Sequence, residues 1–499
     1  MVPGPNAIVG LCLLGAVGLY FYNNPLHHSR WFMVRRFINW FPLGMTYAFL
    51  YMGRYNLNVC KNALGAAMSK EDFGMIFAAG TVTYALSFLV NGPLVDKIGG
   101  KRGIIIAALG ASLANILLGA LTYLVVTNQL KMKMVVAFSL IYAINMYFQS
   151  YGAVSIIKVK AYWFHVRERG VFGAIFGTLI SIGAYFAFDW GKAIVDMTKA
   201  NGVGQTGWLA SVMRGVFAGK STVDATWAVF FVPAAILIGW ALLDWWLIKD
   251  TPEQASFPYF DTHDASSGQM HVEFAMTDLL KKVFTNHLLL LLAVVSFTSG
   301  VLRNGVYQWY PIFANEIHQT GAEYFSQHWG FCICVFGIVG GFVGGLVSDK
   351  FFQSRRGPPV ALLSAFMFLM AVLMGVCLYS SPLAVGWGAA MIAMAVIGVT
   401  SLVSGTAATD FGGRKATGTT SGMIDACAYL GTGLESFSLG FLTNFSWHWW
   451  PVFLAPFALL GCIIAIKIWN ELPAATRKFI AEVEVAPRQR RSRQPELVS

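Results

Sequence analysis

The stretch GPLVDKIGGKRG, residues 92–103, follows a long apolar run and recurs in altered form as GGLVSDKFFQSRRG, residues 344–357. Both copies place an aspartate at a helix end and basic residues a few positions later, with glycines that allow a tight turn and close helix contact. A second pair, FHVRERGVFGAIFG at 164–177 and TDFGGRKATGTTSG at 409–422, has a similar separation. The repetition predicts a chain built from two similar halves.

Apolar segments fill the sequence on both sides of these motifs. Of the 499 residues, 56% are hydrophobic and only 12% are charged, whereas a soluble domain has about 25% charged residues. A membrane-spanning helix needs roughly 20 apolar residues. Twelve main candidates lie near 37–60, 72–95, 103–126, 134–157, 170–190, 226–248, 286–315, 327–349, 359–380, 384–406, 417–443 and 450–470. We therefore predict an all-α membrane protein with twelve transmembrane helices in two pseudo-symmetric six-helix halves.

A further apolar segment, NAIVGLCLLGAVGLYFY at 6–22, precedes the first of these candidates. It lacks a preceding basic residue and a small-residue cleavage site, which argues against a secretory signal. Its 17 residues place it at the lower limit for crossing a bilayer. An extra N-terminal helix and an interfacial segment both stay open, and we favour a span.

These features divide the chain into five predicted parts. They are an N-terminal hydrophobic segment (1–30), an N-terminal six-helix half (31–250), a cytoplasmic linker (251–283), a C-terminal six-helix half (284–472) and a basic cytoplasmic tail (473–499). The linker is rich in polar residues, and we interpret it as a tether.

Lys and Arg are unevenly distributed between the two sides of the membrane. The segment before the first main span, the connections after even-numbered spans and the tail, counted with Lys467 at the end of the last span, carry 25 of them, against 8 in the remaining connections. The positive-inside rule then places both ends of the twelve-span body in the cytoplasm. The basic tail is a solvated end that can touch anionic lipid, and it gives no sign of nucleic-acid binding.

Arg54 and Arg303 are the two basic residues that this count leaves inside predicted spans. A guanidinium keeps its charge, so burying one in an apolar helix costs free energy unless an anion meets it. Either arginine could snorkel to the interface or pair with a buried acid. Their equivalent positions, 249 residues apart, instead favour one anionic ligand held by both, because guanidinium pairs bidentately with phosphate oxygens.

The twelve-span body, its duplication and GPLVDKIGGKRG resemble the major facilitator superfamily. Four stretches resemble its organophosphate:phosphate antiporters, the glycerol-phosphate and hexose-phosphate transporters, more closely. They are GRYN at 53–56, FQ at 148–149 with WFHVRERG at 163–170, VLRNGVYQWYP at 301–311, and RKATGTTSG with YLG at 414–431. The resemblance implies that Arg54 and Arg303 face each other across a central cavity and hold phosphate. Tyr84, Gln149 and Trp309 match further family positions.

The sequence departs from the family pattern at four positions of this site. Tyr55, adjacent to Arg54, and Phe88 stand where the family commonly has lysines, Ile180 replaces a histidine, and Gln308 replaces an aspartate. We keep Tyr55 among the predicted substrate-binding residues. The loss of positive charge fits a less highly charged anion, or a carboxylate or sulfonate in place of phosphate.

Two acids, Asp425 and Glu435, lie in the eleventh span, where family members usually carry small residues. An acid in hydrocarbon costs several kcal/mol unless it is paired or protonated. One interpretation is a structural hydrogen bond to a neighbouring helix. The other is that one of these acids balances the charge of an arginine in the empty carrier or carries a coupling proton.

The duplicated loops carry the predicted gating residues, which are Asp96 and Arg102 in the first copy and Asp349 and Arg355 in the second. The motifs together imply a carrier that exchanges a phosphorylated metabolite for inorganic phosphate by alternating access. Two alternatives stay open: a proton-coupled carrier of an organic carboxylate or sulfonate, and a non-transporting sensor of sugar phosphate.

The sequence contains no P-loop, no nucleophile elbow and no clustered metal ligands, so we expect neither an enzyme nor a cofactor or metal. The expected partners are a small anionic substrate and the lipid bilayer, with no nucleic acid, and the monomer is the expected functional unit. We expect an integral multi-pass protein of a bacterial inner (plasma) membrane with a cytoplasmic C-terminus.

Overall fold

The computed structural model describes residues 4–165, 168–200, 208–218, 223–260, 262, 285, 287–317, 323–352 and 357–470. At 169–171, 345–346, 348–350 and 404–421 it describes the backbone alone. Helix α1 (Pro5–Tyr22) comes before both halves. The first half contains α2 (Arg30–Leu64), α3 (Lys70–Ile98), α4 (Gly100–Val126), α5 (Met134–Trp163), α6 (Arg169–Tyr185), α7 (Gly191–Met197), α8 (Trp208–Met213) and α9 (Ala228–Leu247).

The second half repeats this all-helical architecture. It contains α10 (His287–Tyr307), α11 (Trp309–Ile317), α12 (Glu323–Gln327), α13 (Trp329–Phe352), α14 (Gly357–Cys377), α15 (Pro382–Phe445) and α16 (Trp449–Lys467). In the part of the chain that the structure describes, ten helical stretches, α1 among them, are long and apolar enough to cross a membrane. Helix α2, helix α13 and the second part of α15 complete the predicted set of spans, so the predicted fold class is confirmed.

Helix α15 supplies two spans although its 64 residues form one helical run. A straight helix of that length would measure about 96 Å. Its two ends nevertheless lie at the same side of the molecule. A methyl group at Gly386 would lie 3.0 Å from the Tyr310 hydroxyl, and Trp447, just beyond the other end, packs 5.2 Å from Phe313. The chain therefore reverses inside α15, between Pro382–Val403 and the part that begins near residue 422.

The α2–α3 connection shows how the sequence ends one helix and begins the next. Gly65 ends α2 with a positive φ of 54°, which glycine adopts without steric cost. Ser69 and Asp72 then form a capping box, in which each side chain accepts a hydrogen bond from the other residue's backbone N–H, at 3.0 and 3.1 Å. We call the end of the molecule that carries this connection the outer end, because the positive-inside rule predicts it to face away from the cytoplasm.

Helix α1 packs along α6 and the start of α2. Near its beginning, Asn6 Oδ1 accepts hydrogen bonds from the Tyr185 hydroxyl and Trp190 Nε1, at 2.7 and 3.1 Å. Near its end, the Tyr20 hydroxyl donates to the Met33 carbonyl at 2.8 Å. Its 18 residues extend about 27 Å. This geometry favours a thirteenth span over an interfacial segment.

An ion pair and a close contact at Gly99 hold the first copy of the duplicated loop in place. Asp96 pairs with Lys158 of α5 at 2.8 Å, so the predicted gating aspartate links α3 to α5 within the first half. Gly99 has φ +91°, and a methyl group there would lie 2.5 Å from a carboxylate oxygen of Asp250. Arg102 is exposed. In the second copy, the side chain of Asp349 and all of Arg355 lie outside the described residues.

A buried ion pair ties the segment before α6 to α2. Arg36 donates to both carboxylate oxygens of Glu168 at 2.9 Å, and its Nε donates to the Tyr20 hydroxyl at 2.9 Å. His28 Nε2 lies 3.3 Å from the same carboxylate. Burial raises the pKa of Glu168, but hydrogen bonding and charge from His28 and Arg36 outweigh it and lower that pKa to about 2. The cluster joins α1, α2 and α6 at the predicted cytoplasmic end.

We predict that Glu168→Gln destabilises the protein by about 3–5 kcal/mol, because it leaves the buried Arg36 without its counter-ion. The measurement is the melting temperature of the purified protein in detergent. Since the folded-state pKa is lowered, the stabilisation is present above the unfolded pKa of about 4.3 and is lost as pH falls through about 2. The control is Asp196→Asn, which breaks a more exposed pair with Lys199 and is expected to cost about 1 kcal/mol or less. Equal melting temperatures for Glu168→Gln and the unmodified protein would contradict this account.

Candidate substrate-binding site

Arg54 is positioned by a glycine and two asparagines in the first half. The Gly53 carbonyl accepts hydrogen bonds from the side-chain amides of Asn115 in α4 and Asn145 in α5, at 3.1 and 3.0 Å. A methyl group at Gly53 would lie 3.0 Å from the Asn115 amide, so a larger residue would push α2 away. These contacts hold the middle of α2 against α4 and α5, and they direct the next side chain, Arg54, into the bundle.

The Arg54 guanidinium is buried, with 1% of its surface exposed, and its hydrogen bonds reach both halves. Nε donates to Gln149 Oε1 at 3.0 Å, and Nη1 donates to the Tyr429 hydroxyl at 2.7 Å. Gln149 is oriented by its own amide group, which donates to Asn145 Oδ1 at 3.1 Å. In the described part of the chain, Nη2 is buried without a hydrogen-bond partner. Arg54 therefore has one donor group available to a ligand.

Aromatic rings surround this guanidinium. Its central carbon lies 4.5 Å from the Tyr84 ring centroid, 4.9 Å from that of Tyr51 and 5.6 Å from that of Tyr429. Aromatic faces attract a cation through their quadrupole. They carry no net charge, so they stabilise Arg54 without neutralising it.

Arg303 reaches the same tyrosine from the second half. Its central guanidinium carbon lies 5.4 Å from the Tyr429 ring centroid, and its Nε is buried without a hydrogen-bond partner among the described residues. Close packing of α10 against α15 makes this possible. Gly300 lies against the Ala428 backbone, and a methyl group at Gly431 would collide with the Phe297 carbonyl. Two glycines thus bring Arg303 and Tyr429 together.

The structure therefore joins the two predicted arginines through a residue that was not among the predicted site residues. The Tyr429 ring contacts both guanidinium groups, and it lies 4.2 Å from the ring of Tyr84. The sequence did contain one indication, because YLG at 429–431 resembles the family. That resemblance did not distinguish Tyr429 from the other two residues as a site residue. No ion pair between a carboxylate and Arg54 or Arg303 occurs among the residues with described side chains.

The other predicted substrate-binding residues divide into two groups. Gln149 and Tyr84 contact Arg54 directly, as described above. Tyr55 is buried beside Tyr307, at a ring distance of 6.5 Å, and its ring stacks with Phe77. Trp309 packs against Phe73 and Trp447 at ring distances of 6.0 and 6.3 Å. Trp309 therefore lies towards the outer end, away from the paired guanidinium groups.

The two acids of the eleventh span occupy different surroundings. Asp425 is half-buried and lies one helical turn before Tyr429. Glu435 is fully buried, and its Oε2 accepts hydrogen bonds from Asn304 at 2.7 Å and from Ser436 at 3.1 Å. Asn304 follows Arg303 in α10, so Glu435 contacts the residue next to the site rather than an arginine.

The two halves are tied together at the outer end. Lys70 of α3 donates to Glu316 at 3.1 Å and to the Thr443 carbonyl at 3.0 Å. Asp189, from the turn that joins α6 to α7, accepts backbone N–H groups of Gly330 and Phe331 at the start of α13, at 2.8 and 3.3 Å. These contacts close the outer end above the arginines.

Proteins of known or assigned role resemble the chain along most of its length. It is 24% identical over 412 residues to the glycerol-3-phosphate transporter of Bacillus subtilis, covering 81% of this chain and 85% of that protein. It is 25% identical over 460 residues to a probable hexose phosphate transport protein of Chlamydia pneumoniae, covering 86% and 90%. The membrane sensor protein UhpC of Escherichia coli is 25% identical over 415 residues, covering 81% and 84%. The predicted resemblance to organophosphate:phosphate antiporters is confirmed.

Solved structures show the same fold. A bacterial homologue of the human lysosomal transporter Spinster, in an inward-facing unoccupied conformation, superposes with a TM-score of 0.67 at 15% identity, covering 89% of this chain and all of that one. The transporter FucP in its outward conformation gives a TM-score of 0.54 at 14% identity, covering 87% and 100%. The model of the Major Facilitator Superfamily matches residues 43–436. The chain is thus an integral membrane protein with many spans, and it belongs to the Major Facilitator Superfamily.

Proposed function

We propose that this protein carries a small phosphorylated metabolite across the membrane in exchange for inorganic phosphate, by alternating access. The observation that carries the proposal is the meeting of Arg54 and Arg303 on the single ring of Tyr429, without a carboxylate partner among the described side chains. The transport proteins for glycerol 3-phosphate and hexose phosphate among its relatives support the same substrate class.

The unsatisfied donors suit a tetrahedral anion. Arg54 Nη2 and Arg303 Nε each lack a hydrogen-bond partner in the described structure. A phosphate group offers several charged acceptor oxygens, and each hydrogen bond to a charged group contributes about 1.5–3 kcal/mol. A phosphate between the two side chains would accept from α2 in one half and α10 in the other, and so bind the halves to each other.

Tyr429 gives the site a neutral substitute for one phosphate oxygen. Its hydroxyl accepts the hydrogen bond of Arg54 Nη1 at 2.7 Å. A charged phosphate oxygen is a stronger acceptor for guanidinium than a phenol oxygen. The incoming anion would therefore displace the hydroxyl from Nη1, while the ring keeps its contact with both guanidinium groups.

The positive charges of Arg54 and Arg303 favour exchange over movement of the empty carrier. Two cations in a closed, poorly solvated site repel each other, and the repulsion grows as the local dielectric constant falls. A bound anion removes this penalty, so the loaded carrier changes conformation more readily than the empty one. The ties at the outer end, including Lys70 with Glu316, support a site that is closed on that side and reached from the other, as alternating access requires.

We predict that Arg54→Ala and Arg303→Ala each reduce phosphate exchange about 100-fold, because each removes charge-assisted hydrogen bonds worth about 3 kcal/mol. The measurement is counterflow of labelled phosphate into phosphate-loaded liposomes that contain the purified protein. Arg54→Lys keeps the charge but loses the planar fork, so we expect an intermediate rate. Arg30→Ala, an exposed arginine at the start of the same helix, is the matched control and should behave as the unmodified protein.

Unimpaired exchange in both alanine variants would contradict the proposed site. Competition by glycerol phosphate, hexose phosphate, a carboxylate and a sulfonate in the same assay identifies the anion class, which the neutral Tyr55 beside Arg54 leaves open. Phosphate binding without counterflow would contradict transport and would support a sensor, the role named for the Escherichia coli relative.

We predict that Tyr429→Phe lowers the KM for phosphate by about tenfold, since a hydrogen bond from the charged guanidinium to the phenol oxygen, worth about 1.5 kcal/mol, no longer competes for Arg54 Nη1. Tyr429→Ala should instead impair exchange, because it removes the ring that contacts both guanidinium groups. The measurement is the phosphate concentration dependence of counterflow for the two variants. A loss of exchange in Tyr429→Phe as severe as in Arg54→Ala would contradict the displacement of the hydroxyl by substrate.

A further inference from the structure

Glu435 is a fully buried carboxyl group without a described cation beside it. None of its surface is exposed, and its Oε2 accepts hydrogen bonds from Asn304 and Ser436, at 2.7 and 3.1 Å. Its Oε1 has no hydrogen-bond partner within the described part of the chain. Burying an ionised carboxylate without a counter-ion is costly, whereas the protonated acid avoids that cost. In this conformation the neutral form is therefore favoured.

The groups that face this carboxyl carry no charge. Asn304 faces it from α10, Ser436 from its own helix and the Trp309 indole from α11. Helix α3 approaches through Gly74, where a methyl group would lie 2.5 Å from the Ser436 carbonyl oxygen.

Charged side chains lie farther off on each of these elements. They include Arg303, which precedes Asn304 on α10; Glu316 of α11 and Lys70 of α3, paired at the outer end; Glu71 and Asp72 in the first turn of α3; and Asp425, ten residues earlier on α15. Arg303 belongs to the anion site and is therefore the charge that substrate binding changes.

The position of Glu435 makes its contact with water depend on the conformation of the carrier. Helix α3 of the first half and α15 of the second half meet closely at Gly74 and Gly440. A methyl group added at Gly440 would lie 3.2 Å from Gly74 Cα, and one added at Gly74 would lie 2.9 Å from Gly440 Cα. Opening of the outer end would separate these helices and admit water to the adjacent carboxyl. Closing returns it to the dry surroundings described above.

We propose that Glu435 is a proton-binding residue that couples anion uptake to proton uptake, an inference that rests on the proposed transport function. With the outer end open, the carboxylate takes one proton from the outer solution and becomes neutral, which permits closure around the loaded site. When the inner side opens and the anion leaves, water that enters the vacated site reaches the carboxyl past Asn304, the residue that follows Arg303 and binds Glu435. The uncompensated charge of Arg303 then favours release of the proton to that side. The ionised carboxylate then offsets part of the arginine charge while the empty carrier returns.

This cycle moves one proton with each anion in the same direction. It also provides a route for net uptake that strict exchange lacks, because the deprotonated acid replaces the departed anion as a negative charge near Arg303. The two modes can be separated by the contents of the liposomes, since exchange requires internal phosphate and net uptake does not.

The test compares two assays on the purified protein in liposomes. In phosphate-loaded liposomes at equal pH, both the unmodified protein and Glu435→Gln should show counterflow of labelled phosphate. In phosphate-free liposomes with an alkaline interior, the unmodified protein should accumulate labelled phosphate, and Glu435→Gln should not. The matched control is Asp425→Asn, which changes the other acid of the same helix and should keep the response to the pH gradient.

Accumulation by Glu435→Gln equal to that of the unmodified protein would overturn the proposal, as would a failure of the unmodified protein to respond to the gradient. Absence of counterflow in the unmodified protein would instead refute the transport function itself. A pH-indicator dye inside the phosphate-free liposomes gives a second readout, in which phosphate uptake by the unmodified protein should be accompanied by proton entry, whereas Glu435→Gln should show neither.

If Glu435→Gln does not fold, Glu435→Asp retains a titratable group. The pH midpoint of net uptake should then shift from that of the unmodified protein. Identical pH profiles for the two proteins would contradict a proton site at this position.

Discussion

The burial of Arg54 without a neutralising carboxylate is the constraint on which the arrangement of the site depends. A guanidinium in the middle of a membrane helix must have its donors satisfied and its charge stabilised. Gln149 and Tyr429 accept two of its hydrogen bonds, and three tyrosine rings surround it. Every one of these groups is neutral, so the positive charge is preserved and remains available to an anion. Asn115 and Asn145, which donate hydrogen bonds to the Gly53 carbonyl, help to hold Arg54 in this position, and Asn145 also accepts a hydrogen bond from Gln149.

The second half of the protein contains a counterpart of Arg54. Arg303 occupies the equivalent place in the second half, and the two cations meet at Tyr429 instead of pairing with acids of the chain. Glu435 of α15 is held by Asn304 of α10 in uncharged surroundings. In our proposal, a carrier built in this way has a positive site that a substrate neutralises and a separate carboxyl that gains or loses a proton as the halves move.

The sequence alone was sufficient to predict the fold, and it singled out the two arginines as candidates, but it did not indicate which residue lies between them. The apolar runs and the duplicated loop predicted the helices, because membrane spans are set by local composition. Arg54 and Arg303 stood out because charge is rare inside such spans. Tyr429 could not be recognised, since an isolated tyrosine in an apolar helix is usually a packing residue, and its role depends on long-range contacts of α15 with α3 and α10. Trp309, which we predicted to bind substrate, lies towards the outer end beside Phe73 and Trp447, six residues after Arg303 along the chain.

The most direct test of the central claim is an experimental structure of the protein with inorganic phosphate bound. We predict density for the anion between Arg54 Nη2 and Arg303 Nε, with the Tyr429 hydroxyl displaced from Arg54 and its ring still against both guanidinium groups. Phosphate bound elsewhere, or held by neither arginine, would contradict it.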